Sequence, residues 1–149
     1  MPAVLFIDNA GRSCAPIAAA LFAQLAKKAD MGEEWSADSA GLYARHGQMI
    51  AAEVRTVLEE AGCEPLRIGA QELTPKLVKS ADLLLCMTEQ QEKEISRRFI
   101  SSRNKLKTLM SVMRDDADVF DPSRQGVEKF RACVRMMQPA IEVLVERLA

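Results

Sequence analysis

The chain is poor in the side chains that most often carry metal or redox chemistry. Its 149 residues include one histidine, His46, one tryptophan and one tyrosine. Four cysteines, Cys14, Cys63, Cys86 and Cys133, stand far apart. They make neither a CxxC pair nor a zinc spacing, so a metal site, a bound cofactor and structural disulfides are not expected. No stretch approaches the ~18 to 20 continuous apolar residues of a bilayer-spanning helix, and the start MPAVLFID lacks the basic n-region and small-residue cleavage site of a signal peptide. These absences point to a cytoplasmic protein with no membrane partner. Neither sign of charge prevails, with 20 basic against 21 acidic groups, which argues against nucleic-acid binding.

What is present suits an ordinary folded domain. Hydrophobic residues make up 48% and charged residues 28%, and the length is sufficient for one domain, residues 1–149, with a substantial core. Val4 to Ile7 is a short, continuously apolar run, the pattern of a strand buried on both faces. Residues 15–29 follow at helical spacing, with Gly32 as the expected stop. Trp35 to Ala40 is a weaker strand, residues 47–61 an amphipathic helix ending at Gly62, and Thr74-Pro75 an N-cap and first helical position. Asp82 to Thr88 supplies a third strand, Glu89 to Phe99 a helix, and Lys105 to Leu109 a fourth strand. Residues 100–104 form a loop. A long terminal helix from Val127 is expected to kink at Pro139. Strands alternating with helices predict a parallel sheet covered on both faces, with any ligand at the carboxyl ends of the strands.

The first such place is the segment VLFIDNAGRSCAPIAAALF, residues 4–22. Asn9, Ala10, Gly11, Arg12 and Ser13 lie between a buried strand and a helix. There, inward-turned N–H groups and the helix N-terminus form a nest for an anion. The order and spacing of several further features make the chain similar to the low molecular weight protein tyrosine phosphatases and the related thiol arsenate reductases. These features are Ile7 before the loop, Pro16-Ile17-Ala18 after it, Ser39-Ala40-Gly41, Leu73 with its following helix, Ala81 to Met87, and Asp121-Pro122. The resemblance implies a three-layer α/β fold with a four-stranded parallel sheet and helices on both faces. It also implies a catalytic loop of the form Cys-x5-Arg-Ser, with a thiolate nucleophile, an arginine fork for the phosphate oxygens and an aspartic acid that protonates the leaving group.

Laid without gaps, that register puts Asp8 at the nucleophile, Ser13 at a frequent second cysteine, Cys14 at the phosphate-binding arginine and Ala15 at the supporting serine. Only Asp121, at the general acid, keeps a catalytic identity. The expected function is therefore a degenerate phosphatase, a binding or regulatory module for a protein partner. Asp8 should fill its own nest as a built-in anion, with a lowered pKa. The alternatives are a weak phosphomonoesterase using Asp8, or a thiol-dependent reductase in which Cys14, near a helix N-terminus, is a thiolate. Arg12 is read as a solvated loop residue, with a substitute phosphate clamp as the other possibility. Tyr43 and His46 fall in the segment that lines the pocket rim in the resembled family. The acidic run Asp115, Asp116, Asp118 and Asp121, and the basic cluster from Arg97 to Lys107, read as solvated surface. Cys63 and Cys133 read as packing residues.

Overall fold

A computed structural model describes residues 2–31 and 34–149. Gly32, the expected end of the first helix, lies outside the described residues. The elements in chain order are β1 (Ala3–Asp8), α1 (Cys14–Lys28), β2 (Ser36–Gly41), α2 (Ala52–Glu60), α3 (Pro75–Ser80), β3 (Leu83–Cys86), α4 (Glu89–Arg98), β4 (Leu106–Thr108) and α5 (Val127–Leu148). The strands form one four-stranded sheet in the order β2-β1-β3-β4, every pair parallel.

Alternation along the strands explains the two layers of helix. Val4 and Phe6 of β1 join Leu85 and Met87 in a cluster with α1, α2 and α5, whereas Leu5 and Ile7 join Leu84 and Cys86 in a second cluster with Val78 of α3 and Ile95 of α4. A strand buried on both faces has no position left for a polar residue, so β1 reads as an unbroken apolar run until its last residue, Asp8. In the larger cluster the rings of Phe6 and Phe22 sit 5.9 Å apart, and Trp35 meets Phe22 edge-on at 6.5 Å.

Local chemistry sets the helix starts. Thr74 accepts a hydrogen bond from Leu77 N–H at 3.2 Å, with Pro75 at the first position of α3. At α4, Thr88 and Gln91 form a reciprocal capping box, a Thr-x-x-Gln spacing that satisfies two otherwise unpaired donors. The expected helix over 47–61 begins later, at Ala52. The chain before it is extended because Ile50 N–H donates to Ile68 and Ala70 N–H to Gln48, at 2.9 and 2.8 Å. Helix α5 runs as one element through Pro139, which lies on its exposed side. Within the expected loop over 100–104, Ile100–Ser102 forms a single 3-10 turn.

Candidate functional site

The loop from Asn9 to Ser13 leaves the carboxyl end of β1 and folds back over β2. Gly11 has a positive φ of 71°, and its backbone presses on Gly41. A Cβ at Gly41 would lie 2.5 Å from the carbonyl carbon of Ala10. Two glycines thus permit the crossing that aims the loop's N–H groups inward.

Those N–H groups converge on Asp8. Its Oδ1 accepts from Gly11 N–H, while Oδ2 accepts from Ala15 N–H at 2.9 Å, from Ser13 N–H at 3.4 Å and from the Ser13 hydroxyl at 3.5 Å. Ser13, at the N-cap position of α1, makes no capping bond with its own side chain. The Asp8 carboxylate performs that task from the end of the preceding strand. The nest therefore holds an anion that belongs to the chain, as its sequence suggests.

The electrostatic consequence differs from the expected one. Burial pushes the Asp8 pKa up to about 6, against the lowering pull of the Ala15, Gly11 and Ser13 N–H groups, and the nearby Asp121 charge raises it further. Three N–H donors do not replace the water that a side chain only 5% exposed has lost.

Asp121 is brought to the same place. Its Oδ1 accepts from the Ser13 hydroxyl at 3.3 Å and from the Ser123 N–H and hydroxyl at 3.0 and 2.6 Å. Ser13 thus stands between two carboxylates. Arg12 points elsewhere: its Nε donates to the Met49 carbonyl at 2.6 Å, and its own carbonyl accepts from Ala51 N–H at 2.9 Å. This exposed contact joins it to the segment before α2, and no hydrogen bond carries its guanidinium to the nest.

Cys14 turns away from the nest into the seam between α1 and α5. Its Sγ lies 3.0 Å from Cys133 Sγ and 3.4 Å from the Phe120 carbonyl. The thiol pKa is raised, first by the hydrogen bond with Cys133 and then by burial, which disfavours the thiolate of the alternative, thiol-dependent reading. Ala15 is buried and contributes only its N–H. Among the described residues no group of three or more histidine, cysteine, aspartate or glutamate side chains is placed to hold a metal ion.

Beside the loop lies a cleft of about 370 Å³ lined by Asn9, Leu42, Tyr43, Thr88, Gln91 and Asp118, among others. Tyr43 is exposed, with the Arg98 guanidinium 5.9 Å from its ring centre. His46 is exposed and lies outside this cleft. Asn9 accepts from Gln91 Nε2 at 3.0 Å, and Asp118 accepts from Glu89 N–H at 2.9 Å, at the start of α4. Asp118 thus caps α4 from a distant part of the chain, while Asp115, Asp116, Asp118 and Asp121 all stay exposed. Gln91 and Cys133 are the site neighbours that the sequence reading did not connect to the loop. A Thr88-x-x-Gln91 capping-box spacing is the local signal that could have found the first, whereas the second carries none.

Comparison with known proteins agrees with this architecture. Residues 3–149 match the family model described as "Low molecular weight phosphotyrosine protein phosphatase". A protein-arginine-phosphatase of Geobacillus stearothermophilus is 31% identical over 147 residues, covering 98% of this chain and 93% of that protein. A probable low molecular weight protein-tyrosine-phosphatase, EpsP, of Ralstonia solanacearum is 31% identical over 110 residues, 74% of each. Among solved structures, a mutant of YwlE from Bacillus subtilis superposes with a TM-score of 0.92 at 26% identity, covering 99% of both chains. The low molecular weight protein tyrosine phosphatase of T. tengcongensis does so with a TM-score of 0.92 at 25% identity, again over 99% of both. On fold, sheet order and full-length sequence match, this chain belongs to the low molecular weight phosphotyrosine protein phosphatase family.

Proposed function

We propose that this chain is a catalytically silent member of its family, a cytoplasmic binding or regulatory module for a protein partner. The observation that carries this reading is the Asp8 carboxylate lying among the Gly11, Ser13 and Ala15 N–H groups. A phosphoryl group entering that nest meets a negative charge at its floor, with a second at Asp121 beyond Ser13. Arg12 is engaged with the Met49 carbonyl, and the position of the family's arginine carries Cys14. The reading concerns the loop and not the scaffold, since relatives with the same fold are named as arginine and tyrosine phosphatases.

Hydrolysis of an aryl phosphate and of phosphoarginine, with and without magnesium, tests it in the parent, Asp8→Ala and Cys14→Ala. No turnover above buffer is expected in any of them. Turnover in the parent that disappears in one variant overturns the proposal and identifies the working residue. The same logic predicts a gain in Asp8→Ala. With its own anion removed, the nest should bind inorganic phosphate in a calorimetric titration, while the parent shows no heat of binding. Equal affinity in the two proteins counts against a self-filled loop.

A further inference from the structure

We infer that Cys14 and Cys133 form a reversible disulfide site that staples the anion loop to the terminal helix. The two sulfurs are 3.0 Å apart, although 119 positions separate them in the chain. That is within about one ångström of a disulfide bond length. They share a neighbour in the Phe120 carbonyl, 3.4 Å from Cys14 Sγ and 3.9 Å from Cys133 Sγ. Cys14 is the first residue of α1, immediately after the loop, and Cys133 lies on the buried face of α5. Bond formation therefore joins two elements that already pack on each other.

The remaining cysteines offer no competing pair. Cys86 belongs to the opposite face of the sheet, in the smaller core cluster, where its thiol is directed at the Thr88 and Lys107 carbonyls. Cys63 lies after α2, half-buried beside a surface cleft lined also by Arg55, Glu59 and Ile68. Only the pair on α1 and α5 is already in register.

The co-reactant is a low-molecular-weight disulfide. One cysteine, having lost its proton, attacks a sulfur of that disulfide. The small S–S bond breaks, and the departing thiolate takes up a proton. The second cysteine then loses its proton and attacks the protein sulfur of the mixed disulfide, expelling the other small thiol in the same way. Two protein thiols give up two electrons and two protons, and one small disulfide becomes two thiols. Both sulfurs are shielded from solvent, so exchange requires local opening and is slow in the fully folded state.

The test equilibrates the whole protein with mixtures of oxidised and reduced glutathione. One arm is incubated folded in low urea, and the other is refolded by dilution from high urea. Each sample is quenched with an alkylating agent in high urea, so that every free thiol is exposed to it, and digested without reduction for mass spectrometry. Two of the four cysteines should escape alkylation, in a linked peptide pair containing Cys14 and Cys133. Dithiothreitol should restore both, and Cys133→Ala should lose the pair without gaining another. The oxidised parent should also melt at a higher temperature than the reduced parent, a rise absent in Cys133→Ala. Alkylation of both cysteines after refolding in the most oxidising mixture overturns the inference and leaves a packed pair of thiols. Linkage of either one to Cys63 or Cys86 overturns it as well.

Discussion

A carboxylate with 5% of its surface exposed and backbone N–H groups around it is pulled in two directions. Burial favours the protonated form, the donors favour the charged one, and burial prevails, with a pKa of about 6. Because this value is raised above the ordinary 3.8, the associated stabilisation is fully present below about pH 3.8 and is lost as pH rises through 6. The stability of the parent relative to Asp8→Ala should therefore fall between pH 3.5 and pH 7, by about 3 kcal/mol. Urea unfolding of both proteins at the two pH values measures it; a difference that stays constant, or grows in favour of the parent at pH 7, contradicts the ordering of the two effects. At neutral pH the carboxylate is still mainly ionised, the form that accepts from Gly11, Ser13 and Ala15 N–H.

The loop keeps its shape through close backbone contact. Its crossing over β2 depends on the close approach of Ala10 and Gly11 to Gly41. A methyl group at position 41 has nowhere to go except against main chain. Gly41→Ala should destabilise the fold by about 1–3 kcal/mol, in the range of overpacked positions, and should displace the nest so that hydrogen exchange at the Gly11 and Ala15 amides speeds up. Unchanged stability and unchanged exchange would show that the crossing is looser than its geometry implies. On the other side, the Thr88 and Gln91 capping box holds α4 at the cleft and presents Gln91 to Asn9. The same glutamine closes a helix and braces the loop, and it is buried because it serves both neighbours.

Across the whole fold, the two apolar clusters make the frame insensitive to the chemistry of the loop. Phe22 of α1 is fully buried between Phe6 and Trp35, so Phe22→Ala leaves a cavity that the sheet cannot close. A loss of about 3–5 kcal/mol is expected by chemical denaturation. A loss under about 1 kcal/mol would mean that α1 repacks on β1, contrary to the rigid interior described. The shared frame accounts for the close superposition on YwlE, with a TM-score of 0.92 at 26% identity. Of Asp8, Cys14 and Ala15, only Asp8 stands outside the two clusters, and Cys14 and Ala15 belong to the larger one. Both are small apolar side chains packed in the interior.

Local pattern determined the order and kind of elements. Continuous apolar runs reported the buried strands, Thr74-Pro75 fixed a helix start, and Asp8 at a strand end before a small-residue loop located the anion nest. These are readable because each depends on neighbours within a few positions. Tertiary structure alone decided the rest. The extended segment before α2 depends on hydrogen bonds to Gln48 and Ile68 across a turn of some twenty residues. The direction of Arg12 depends on Met49, the rise in the Asp8 pKa on total burial, and the partner of Cys14 on a helix 119 positions away. Solvent exclusion and long-range contact are properties of the packed chain, and no short stretch of sequence encodes them.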